Sequence, residues 1–574
     1  MIKNNHSPSA AYNDLGQYFS EFGTVAMLSM SRYTDTRQLL LYRSFRNEFC
    51  ELRNLASIFT CIEDVLMMRA RSLGRRREEL RLALGMTLVA VVLILLVATP
   101  INAQDLNAAR DDQINRLKNY VVDAIMPSGL VRDSLVLNGS SFHPATPDAA
   151  GFALLGLSAL DHLDKLPDAE QRVIKILNAY AGHTPGVNPD RSADGHFYHW
   201  LNIANGSRAA GWVDGYTTIG SALLVAGAQF AANHFPNNPT IAALAEELTT
   251  TTDFNAAIHP NLGGGIYLLM NENGGGTGGT VRPWNEFMLV ESLALRQEDN
   301  DRALAVKDRW LDTTTLPKRS YGGISTLTDS ATSFASGFWV QQMHFFNGDF
   351  RHSAEFEQFF ENQMLADKLY SSSTLGEEFR YGLTAGVSPQ GYSADRIDAN
   401  PNDAINVHPN NVFSPEAVAA WGDMETFLEF YNSQFPTTDP RYKYGLVRES
   451  ATQPNWVPND AGLVDHLFLL FGLVESIDPD FFADRVFSGL MDGDFDYDGD
   501  VDGRDFLIWQ RGDSPTSPLS AADLADWQAN YSGAPLTAAA TAVPEPASAS
   551  IALCVTVGLL GSRRQFVSPA RAGI

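Results

Sequence analysis

The sequence is poor in cysteine, and its long central part contains none. Among 574 residues the three cysteines are Cys50, Cys61 and Cys554. Because no thiol lies between residues 104 and 540, disulfides cannot hold this part of the chain together. Its stability must come from a hydrophobic core, and residues 104–485 are numerous enough to build one because the buried fraction rises with chain length.

Positive charge is also scarce. The chain has 41 Lys and Arg against 67 Asp and Glu, which gives a net charge of −26. Residues 1–103 contribute +3 and residues 541–574 contribute +2, so the part between them carries −31. Such a charge repels nucleic acid and anionic lipid. We therefore expect no nucleic-acid partner and a neutral or cationic ligand.

An apolar segment in the N-terminal part predicts export. Arg75, Arg76, Arg77 and Arg81 precede the uncharged run 82–104, which contains Ile-Asn-Ala at 101–103. This is the layout of a secretory signal and its cleavage site. One interpretation takes 68–103 as the signal and 1–67 as a translation artefact, whereas the other makes 1–81 a cytoplasmic piece before a signal anchor. Either way we expect a protein of the cell envelope or the extracellular space.

The central segment is patterned mainly for helices. Apolar residues recur at helical spacing in segments 149–163, 219–233, 240–248, 284–295, 333–346, 353–369, 414–430 and 460–475. Short aromatic and glycine-rich turns lie at 195–200, 263–267, 321–324 and 381–386. The pattern favours helical hairpins with these turns collected at one rim, although an irregular helical bundle also fits.

Residues 494–505 follow the spacing of a calcium-binding loop, with Gly499 at the sharp turn. The predicted ligands are Asp494, Asp496, Asp498, Asp500 through its carbonyl, Asp502 directly or through water, and Asp505. Ca²⁺ is a hard cation that prefers such oxygen ligands. We predict a structural Ca²⁺ here, and an acidic surface loop without an ion is the alternative.

A second, incomplete copy of this unit follows. Residues 519–527 repeat residues 501–509 but lack the aspartate-rich first half. The pair resembles the dockerin family, whose duplicated calcium loop and helix dock on a partner protein. This resemblance covers residues 492–533 and implies a calcium module at 490–535 with a protein partner. We expect the first loop to bind metal and the second only to pack.

The C-terminal tail has the order of a sorting signal. Val-Pro-Glu-Pro at 543–546 is followed by the uncharged stretch 547–562 and by Arg563 and Arg564. This order is similar to the PEP-CTERM signal of envelope-exporting bacteria, which implies that a sorting protease reads residues 543–566. The stretch is shorter than the roughly 20 apolar residues of a spanning helix. A hydrophobic tail anchor is the alternative.

Six short motifs in the central segment occur in an order that carries a further resemblance. They are Gly-His-Phe-Tyr-His-Trp-Leu-Asn at 195–202, Thr-Ile-Gly-Ser-Ala at 218–222, Trp-Asn-Glu-Phe at 284–287, Tyr-Gly-Leu-Thr-Ala at 381–385 with Gly-Tyr at 391–392, Phe-Ser-Pro-Glu at 413–416 and Gly-Leu-Val-Asp-His at 462–466. In this order the chain resembles the glucoamylase-like family, which includes the bacterial endo-β-1,2-glucanases, over residues 146–478. The resemblance implies an (α/α)6 toroid at 104–485 and hydrolysis of a β-linked glucan, with no cofactor for catalysis.

Hydrolysis of a glycosidic bond needs a protonated carboxyl and a carboxylate that activates water. Glu286 matches the family's Tyr-Asn-Glu position, so the resemblance implies that it is the acid. Apolar neighbours such as Trp284 and Phe287 would desolvate its carboxyl and keep it protonated near neutrality. A carboxylate at a helix N-terminus, stabilised by the macrodipole, is the structural alternative.

The base is harder to predict. Where the family has acidic residues, this chain has Gly220 and Val387. Asp465 keeps its family match, and Asp214 lies six residues before Gly220. We take Asp465 and Asp214 as the candidates, with a structural or sugar-binding role as the alternative for each. Looser candidates are Asp395 and Asp398.

Aromatic and histidine side chains are the predicted sugar-binding groups. Flat rings match the C–H faces of pyranoses, although most aromatics of a helical domain belong to the core. The predicted binding residues are His196, Tyr198, His199, Trp212, Trp284, Tyr381 and Tyr392, and Trp200 has the same chemistry. For the two histidines, hydrogen bonding to sugar hydroxyls is favoured over metal ligation, which would require a third ligand.

Two other function classes remain open from the sequence. A surface glycan-binding or envelope-structural protein would keep the helical domain without turnover, and the two missing carboxylates favour it. A polysaccharide lyase is the third hypothesis, because helical toroids also support β-elimination. The acidic charge of the exported part argues against the uronate substrate that a lyase would need.

Overall fold

The computed structural model describes residues 103–139, 142–261, 265–330, 332–377, 380–397, 412–487, 492–495, 497, 501–514 and 517–531. These residues belong to one compact unit, Asn102–Ile574. The predicted sorting signal lies outside the described residues, as does the predicted N-terminal signal except its last residue. Asp398 and three predicted calcium ligands, Asp496, Asp498 and Asp500, also lie outside them.

Helices dominate the described part of the chain, which confirms the prediction of a mainly α-helical fold. The helices are α1 (Ala103–Ala124), α2 (Pro147–His162), α3 (Ala169–Tyr180), α4 (Thr218–His234), α5 (Pro239–Thr250), α6 (Phe254–Ala257), α7 (Met288–Leu295), α8 (Asp301–Leu311), α9 (Gly337–Phe346), α10 (Gly348–Arg351), α11 (Ala354–Tyr370), α12 (Pro415–Ala420), α13 (Met424–Gln434), α14 (Leu463–Glu475), α15 (Gly503–Arg511) and α16 (Ala521–Asn530). A π-helical turn, Ser371–Leu375, extends α11, and a 3₁₀ turn covers Pro440–Tyr442.

The strands are short and lie between the helices. They are β1 (Ser134–Val136), β2 (Tyr216–Thr217), β3 (Ile266–Met270), β4 (Gly276–Val281), β5 (Lys318–Tyr321), β6 (Ile324–Leu327), β7 (Ala385–Ser388), β8 (Gly391–Ala394), β9 (Val412–Phe413), β10 (Glu449–Ser450) and β11 (Asp460–Gly462). All pairings are antiparallel, in the orders β1–β11, β10–β9, β2–β3–β4, β5–β6 and β7–β8.

Six apolar helices pack against one another in chain order. Among the described elements, α2 contacts α4, α4 contacts α7, α7 contacts α9, α9 contacts α12, α12 contacts α14, and α14 contacts α2. Nearly every residue of these helices is buried. A helix that is apolar around its whole circumference must be covered on all sides, and here the other helices of the circuit supply part of that cover.

More polar helices cover the outside of this circuit. Helix α3 packs on α2, α5 on α4, α8 on α7, α11 on α9 and α13 on α12, while α1 contacts α14 and α13. Helices α3 and α8, for example, bury six and three residues respectively and leave their charged sides outside. The hydrophobic core therefore lies between an inner and an outer set of helices.

Glycine permits the closest helix contacts in the inner set. A Cβ atom at Gly151 of α2 would lie 2.2 Å from the carbonyl oxygen of Leu223 in α4. At Gly472 of α14, it would lie 1.9 Å from the carbonyl oxygen of Ala419 in α12. No side chain fits at such distances, so these two helix pairs depend on glycine.

Two helices at the C-terminal end form a separate small element. Helix α15 is capped by Asp502, which shares a capping box with Asp505, and it packs on α16. The Trp527 indole donates a hydrogen bond to the Asp502 carbonyl at 2.6 Å, so the second repeat closes over the first. None of the described helices is long and apolar enough to cross a membrane.

Candidate active site

Two aspartates are brought together by the pairing of β1 with β11. Ser134 lies opposite Gly462, and the Leu463 amide donates a hydrogen bond to the Asp133 carbonyl at 2.7 Å. Asp133 directly precedes β1, and Asp465 lies in the first turn of α14. The two residues therefore come together although more than 300 positions separate them in the sequence.

A third aspartate, Asp148, joins them from the start of α2. The Asp133 amide donates to the Pro144 carbonyl at 2.9 Å, which places the segment before α2 beside β1. Thr146 caps α2 by accepting from the Ala149 amide at 3.3 Å, as expected of a threonine N-cap. The Oδ1 atom of Asp148 is buried and has no hydrogen-bond partner among the described residues.

Glu286 reaches the same region from the turn that precedes α7. The turn is fixed by Asn285, whose side chain donates to the Arg282 carbonyl at 2.8 Å and accepts from the Phe287 amide at 3.0 Å. Trp284 is buried in the core and so fixes the position of the turn. Glu286 itself is half-buried. We refer to the part of the surface around Asp133, Asp148, Glu286 and Asp465 as the carboxylate recess.

The charge of Asp148 acts on the other three carboxyl groups. Burial, followed by the charge of Asp148, raises the pKa of Glu286 to about 8. Burial and Asp148 also raise the pKa of Asp133 to about 7. For Asp465, burial together with Glu416 and the two aspartates outweighs Arg448 and raises the pKa to about 7. Near neutral pH the recess therefore contains both protonated and ionised carboxyl groups.

Tyr392 stands in this recess. It lies on the hairpin of β7 and β8, where it pairs with Val387. Its side chain is 68% exposed, yet burial and the charges of Asp465, Asp133 and Glu286 raise its pKa well above the usual value. A ring that is open to water and still surrounded by protein charges lies in a concave surface.

One side of Asp465 faces a small cavity. Its lining includes Val387, Glu416, Arg448, Asp465 and His466. Glu416 is held by the Ser414 hydroxyl, which donates at 2.6 Å, and contacts His466 Nδ1 at 3.3 Å. Asp465 therefore borders both the open recess and a more enclosed polar cavity.

An aromatic wall formed by His143, Trp200 and Trp212 lies next to the recess. The ring centroids of Trp200 and Trp212 are 4.9 Å apart, and those of His143 and Trp212 are 6.4 Å apart. His143 Nε2 also contacts Asp460 at 3.1 Å, and Asp460 lines the cavity beside Asp465. Trp200 and Trp212 are half-buried, so part of each ring remains available to a ligand.

His199 and Asp214 form a pair beside the recess. His199 Nδ1 lies 2.6 Å from Asp214 Oδ2. This hydrogen bond lowers the pKa of Asp214. The pKa of His199 is raised, because Asp214, Asp148 and Asp133 outweigh its burial. Since Asp214 already shares a hydrogen bond with His199, its geometry suits it to orienting this ring.

Four of the predicted sugar-binding residues are buried, which leaves little of their surface for a ligand. His196 bonds to the Asp253 carbonyl at 3.0 Å, and burial lowers its pKa to about 4. Tyr198 donates its hydroxyl to the Asp214 carbonyl at 2.9 Å. Trp284 is 0% exposed and Tyr381 is 1% exposed. These aromatic side chains complete the core instead.

Sequence reasoning missed three residues of the site. Asp148 had a signal, because it occupies the first turn of an apolar helix, where inward-facing carboxylates are stabilised. Asp133 had none, since only the pairing of β1 with β11 brings it to the site. Arg448 was also missed, and Asp395, a looser candidate for the base, is buried against it at 3.0 Å. Asp395 therefore does not face the recess as a free carboxylate.

The predicted calcium loop is described only in part. Asp494 and Asp505 are buried, while Asp502 caps α15. The Asp505 carboxylate accepts from the amides of Phe495 at 2.6 Å and Asp502 at 2.7 Å. Within the described ranges, no group of three or more His, Cys, Asp or Glu residues is arranged to hold a metal ion.

Comparison with solved structures identifies the fold. The chain is similar to the endo-β-1,2-glucanase from Chitinophaga pinensis in complex with sophorotriose and glucose, with a TM-score of 0.55 and 17% identity over 66% of this chain and 94% of that chain. It is also similar to the β-1,2-glucanase from Parabacteroides distasonis, with a TM-score of 0.52 and 14% identity over 66% of this chain and 58% of that chain. No family model and no curated protein matches the sequence. The described chain thus shares the glucoamylase-like fold, as the sequence motifs predicted.

Proposed function

We propose that this protein is an exported glycoside hydrolase that acts on a β-linked glucan, and that its circuit of inner helices is an (α/α)6 toroid. The observation that carries the proposal is that Glu286 and Asp465, with pKa values of about 8 and about 7, both lie beside Asp148 and the exposed Tyr392. The likeness to solved β-1,2-glucanases supports β-1,2-glucan as the first substrate to test.

In this proposal Glu286 is the acid and Asp465 the base. With a pKa of about 8, Glu286 holds its proton at neutral pH and donates it to the glycosidic oxygen as the bond to the sugar breaks. Asp465 ionises above about pH 7 and accepts a proton from the water that attacks the anomeric carbon. Because one group must be protonated and the other ionised, activity is highest between about pH 7 and 8.

The test is the release of reducing ends from β-1,2-glucan by the purified protein. Glu286→Gln keeps the side-chain shape but cannot donate a proton, so we expect kcat to fall by at least about 10³-fold. Glu298→Gln, which alters an exposed glutamate on the same segment, is the matched control and should retain activity. Full activity of Glu286→Gln would contradict its role as the acid.

A non-catalytic glycan-binding protein is the second candidate, and one observation favours it. Val387 faces the cavity beside Asp465 at a position where the family pattern has an acidic residue. Binding of β-1,2-glucan without new reducing ends would support this function. Unsaturated products would instead indicate a lyase, for which the buried Arg448 is a poor uronate ligand because Asp395 already pairs with it.

We also propose that the loop 494–505 binds Ca²⁺. Asp494 and Asp505 lie at positions 1 and 12 of the calcium-loop spacing, and both are buried. Asp494, Asp502 and Asp505 would help to hold the ion, which would stabilise the fold of this small element. We expect added Ca²⁺ to raise its unfolding temperature and Asp494→Asn to abolish the effect. Asp513→Asn, which changes an aspartate outside the loop, is the control and should respond to Ca²⁺ as the unaltered protein does.

The remaining proposals concern the chain ends and partners. The signal-like segment 68–103 and the tail 543–566 support export, with a sorting protease as the partner of the tail. The paired helices α15 and α16 support a dockerin-like module with a protein partner. Mass spectrometry of the protein recovered from its native envelope would locate both ends, and intact residues 543–566 would contradict processing of the tail.

A further inference from the structure

A buried arginine holds the hairpin that carries Tyr392. Arg448 directly precedes β10, and its side chain is 4% exposed. Its guanidinium Nη2 contacts Asp395 Oδ2 at 3.0 Å and donates to the Thr384 carbonyl at 3.2 Å, while Nη1 donates to the Val387 carbonyl at 3.0 Å. Every one of these contacts is made with the β7–β8 hairpin or the residues that flank it.

The hairpin is shaped around this guanidinium. A Cβ atom at Gly386 would lie 2.4 Å from Arg448 Nη1, and Gly386 has a φ of +143°. Both features exclude a larger residue. The strand after the hairpin is held as well, because the Ser336 hydroxyl donates to the Asp395 carbonyl at 2.7 Å. Tyr392 therefore projects from a hairpin whose base is fixed by Arg448 and by the start of α9.

Arg448 also borders the proposed base. It lines the small cavity together with Asp465, and its charge acts on that carboxyl in the direction opposite to burial. The titratable and charged groups that act on Asp465 or share its cavity are Arg448, Glu416, Asp133, Asp148, Asp460, His466, Tyr392 and Tyr120. Six of these groups are acidic or phenolic. The Arg448 guanidinium supplies the permanent positive charge among them, because a guanidinium stays protonated in proteins.

We propose that Arg448 is a positioning residue of the active site, which holds the Tyr392 hairpin in place and supplies a compensating positive charge to Asp465. This inference rests on the proposed function for its catalytic consequence. The electrostatic link between Arg448 and Asp465 is independent of the proposed function, because it can be measured without substrate.

The first experiment compares pH profiles of glucan hydrolysis. Arg448→Met removes the positive charge, so Asp465 becomes harder to ionise and the acidic limb of the profile should move upward by about one pH unit. Asp395→Asn leaves the guanidinium charge uncompensated, so the same limb should move downward. Arg448→Lys keeps the charge but loses the planar set of hydrogen bonds, so the limb should stay in place while kcat falls.

Arg441→Met is the matched control, because Arg441 pairs with its near neighbour Asp439 at the surface and should leave the profile unchanged. A purely structural role for Arg448 would lower the unfolding temperature in all three site variants without moving the acidic limb, and that result would overturn the proposal. The opposite shifts of Arg448→Met and Asp395→Asn cannot arise from general destabilisation.

The second experiment requires no activity. When a carboxyl group has a higher pKa in the folded state than in the unfolded state, the protein loses stability as pH rises from the unfolded pKa to the folded pKa. For Asp465 this interval ends near pH 7, and Arg448→Met should extend it upward. The comparison is made in the Asp395→Asn background, because Arg448→Met would otherwise leave the buried Asp395 without its partner. There the additional pH dependence should vanish when Asp465→Asn is combined with Arg448→Met, and its persistence would overturn the link. If the protein hydrolyses no glucan, this experiment still decides the inference separately.

Discussion

The two ends of helix α14 carry carboxyl groups in opposite electrostatic environments. Asp465, at the start, has a pKa raised to about 7 because burial and neighbouring carboxylates outweigh Arg448. Glu475, at the end, contacts His344 at 3.0 Å and Arg351 at 2.6 Å. Although burial opposes it, these two partners lower the pKa of Glu475. One helix thus has an under-compensated carboxyl at one end and a fully paired one at the other.

The same contrast extends to other inner helices. Glu286 precedes α7 and has a raised pKa, whereas Arg296, just after α7, pairs with Asp349 at 2.7 Å. Paired charges stabilise a buried position, and under-compensated ones destabilise it. Active sites commonly accept such destabilisation, because a perturbed pKa is needed for acid–base chemistry. In the proposed function the starts of α7 and α14 carry the catalytic groups, and their other ends carry paired charges.

The largest expected effect on stability comes from two variants, each of which removes the carboxylate at one end of α14. Glu475→Gln leaves His344 and Arg351 without their partner, and it should lower the free energy of unfolding by roughly 3 kcal/mol near pH 6. Asp465→Asn removes a destabilising charge, and it should raise the same quantity by roughly 3 kcal/mol at pH 8. Chemical denaturation across pH 4–8 measures both values.

The two variants should also differ in pH dependence. Because its folded pKa lies above its unfolded one, Asp465 costs stability progressively as pH rises from the unfolded value to the folded value of about 7. The gain from Asp465→Asn should therefore disappear near pH 4. His344, whose pKa is raised mainly by Glu475 and Glu357 against its burial, contributes stability that is lost as pH rises through its folded pKa. Destabilisation by both variants at pH 8 would mean that the two ends are equivalent.

A smaller effect is expected from the aromatic wall. If sugar binds at the start of the inner helices, Trp212→Ala should raise KM for β-1,2-glucan about tenfold, equivalent to about 1.4 kcal/mol. Trp509→Ala, which changes a half-buried tryptophan of helix α15, is the matched control and should leave KM unchanged. Equal KM values for both variants and the unaltered protein would exclude the wall from binding.

The smallest expected effect comes from adding an acid to the recess. Val387→Asp places a carboxylate beside Asp465 in the shared cavity, so the acidic limb of the activity profile should rise by about half a pH unit. Val387→Asn, which has the same shape without the charge, is the control. A limb that moves equally in both variants would show that the site responds to packing and not to charge.

Much of the helical framework could be predicted from the sequence. Apolar periodicity located α2, α4, α5 and α11 to within two residues at each end. It missed α1, α3 and α8, whose outer sides are polar. It also merged α12 with α13, which are separated where Gly422 adopts a φ of +77°. The periodicity predicted helix at segments 284–287 and 460–462. Instead, 284–287 forms the turn that holds Glu286, and 460–462 forms strand β11.

The candidate site was predictable only in part, because burial separates residues that look alike in sequence. Trp212 and Trp284 have the same side-chain chemistry, yet Trp212 belongs to the half-buried aromatic wall and Trp284 is enclosed by the core. Neither a hydropathy pattern nor a motif distinguishes them. The distinction depends on which helices pack over each ring.

The sequence by itself determined the mainly helical class, the absence of disulfides in the central part, the acidic charge and the prediction of Glu286 and Asp465. The helical class, the absence of disulfides and the charge depend on composition and local periodicity, whereas the prediction of Glu286 and Asp465 rests on the resemblance of short motifs to a known family. Tertiary structure alone decided that Asp133 and Asp148 join them, that Arg448 compensates Asp465 and that Tyr392 is open to water. These outcomes depend on contacts between distant segments, and it is those contacts that exclude water from a carboxyl group and raise its pKa.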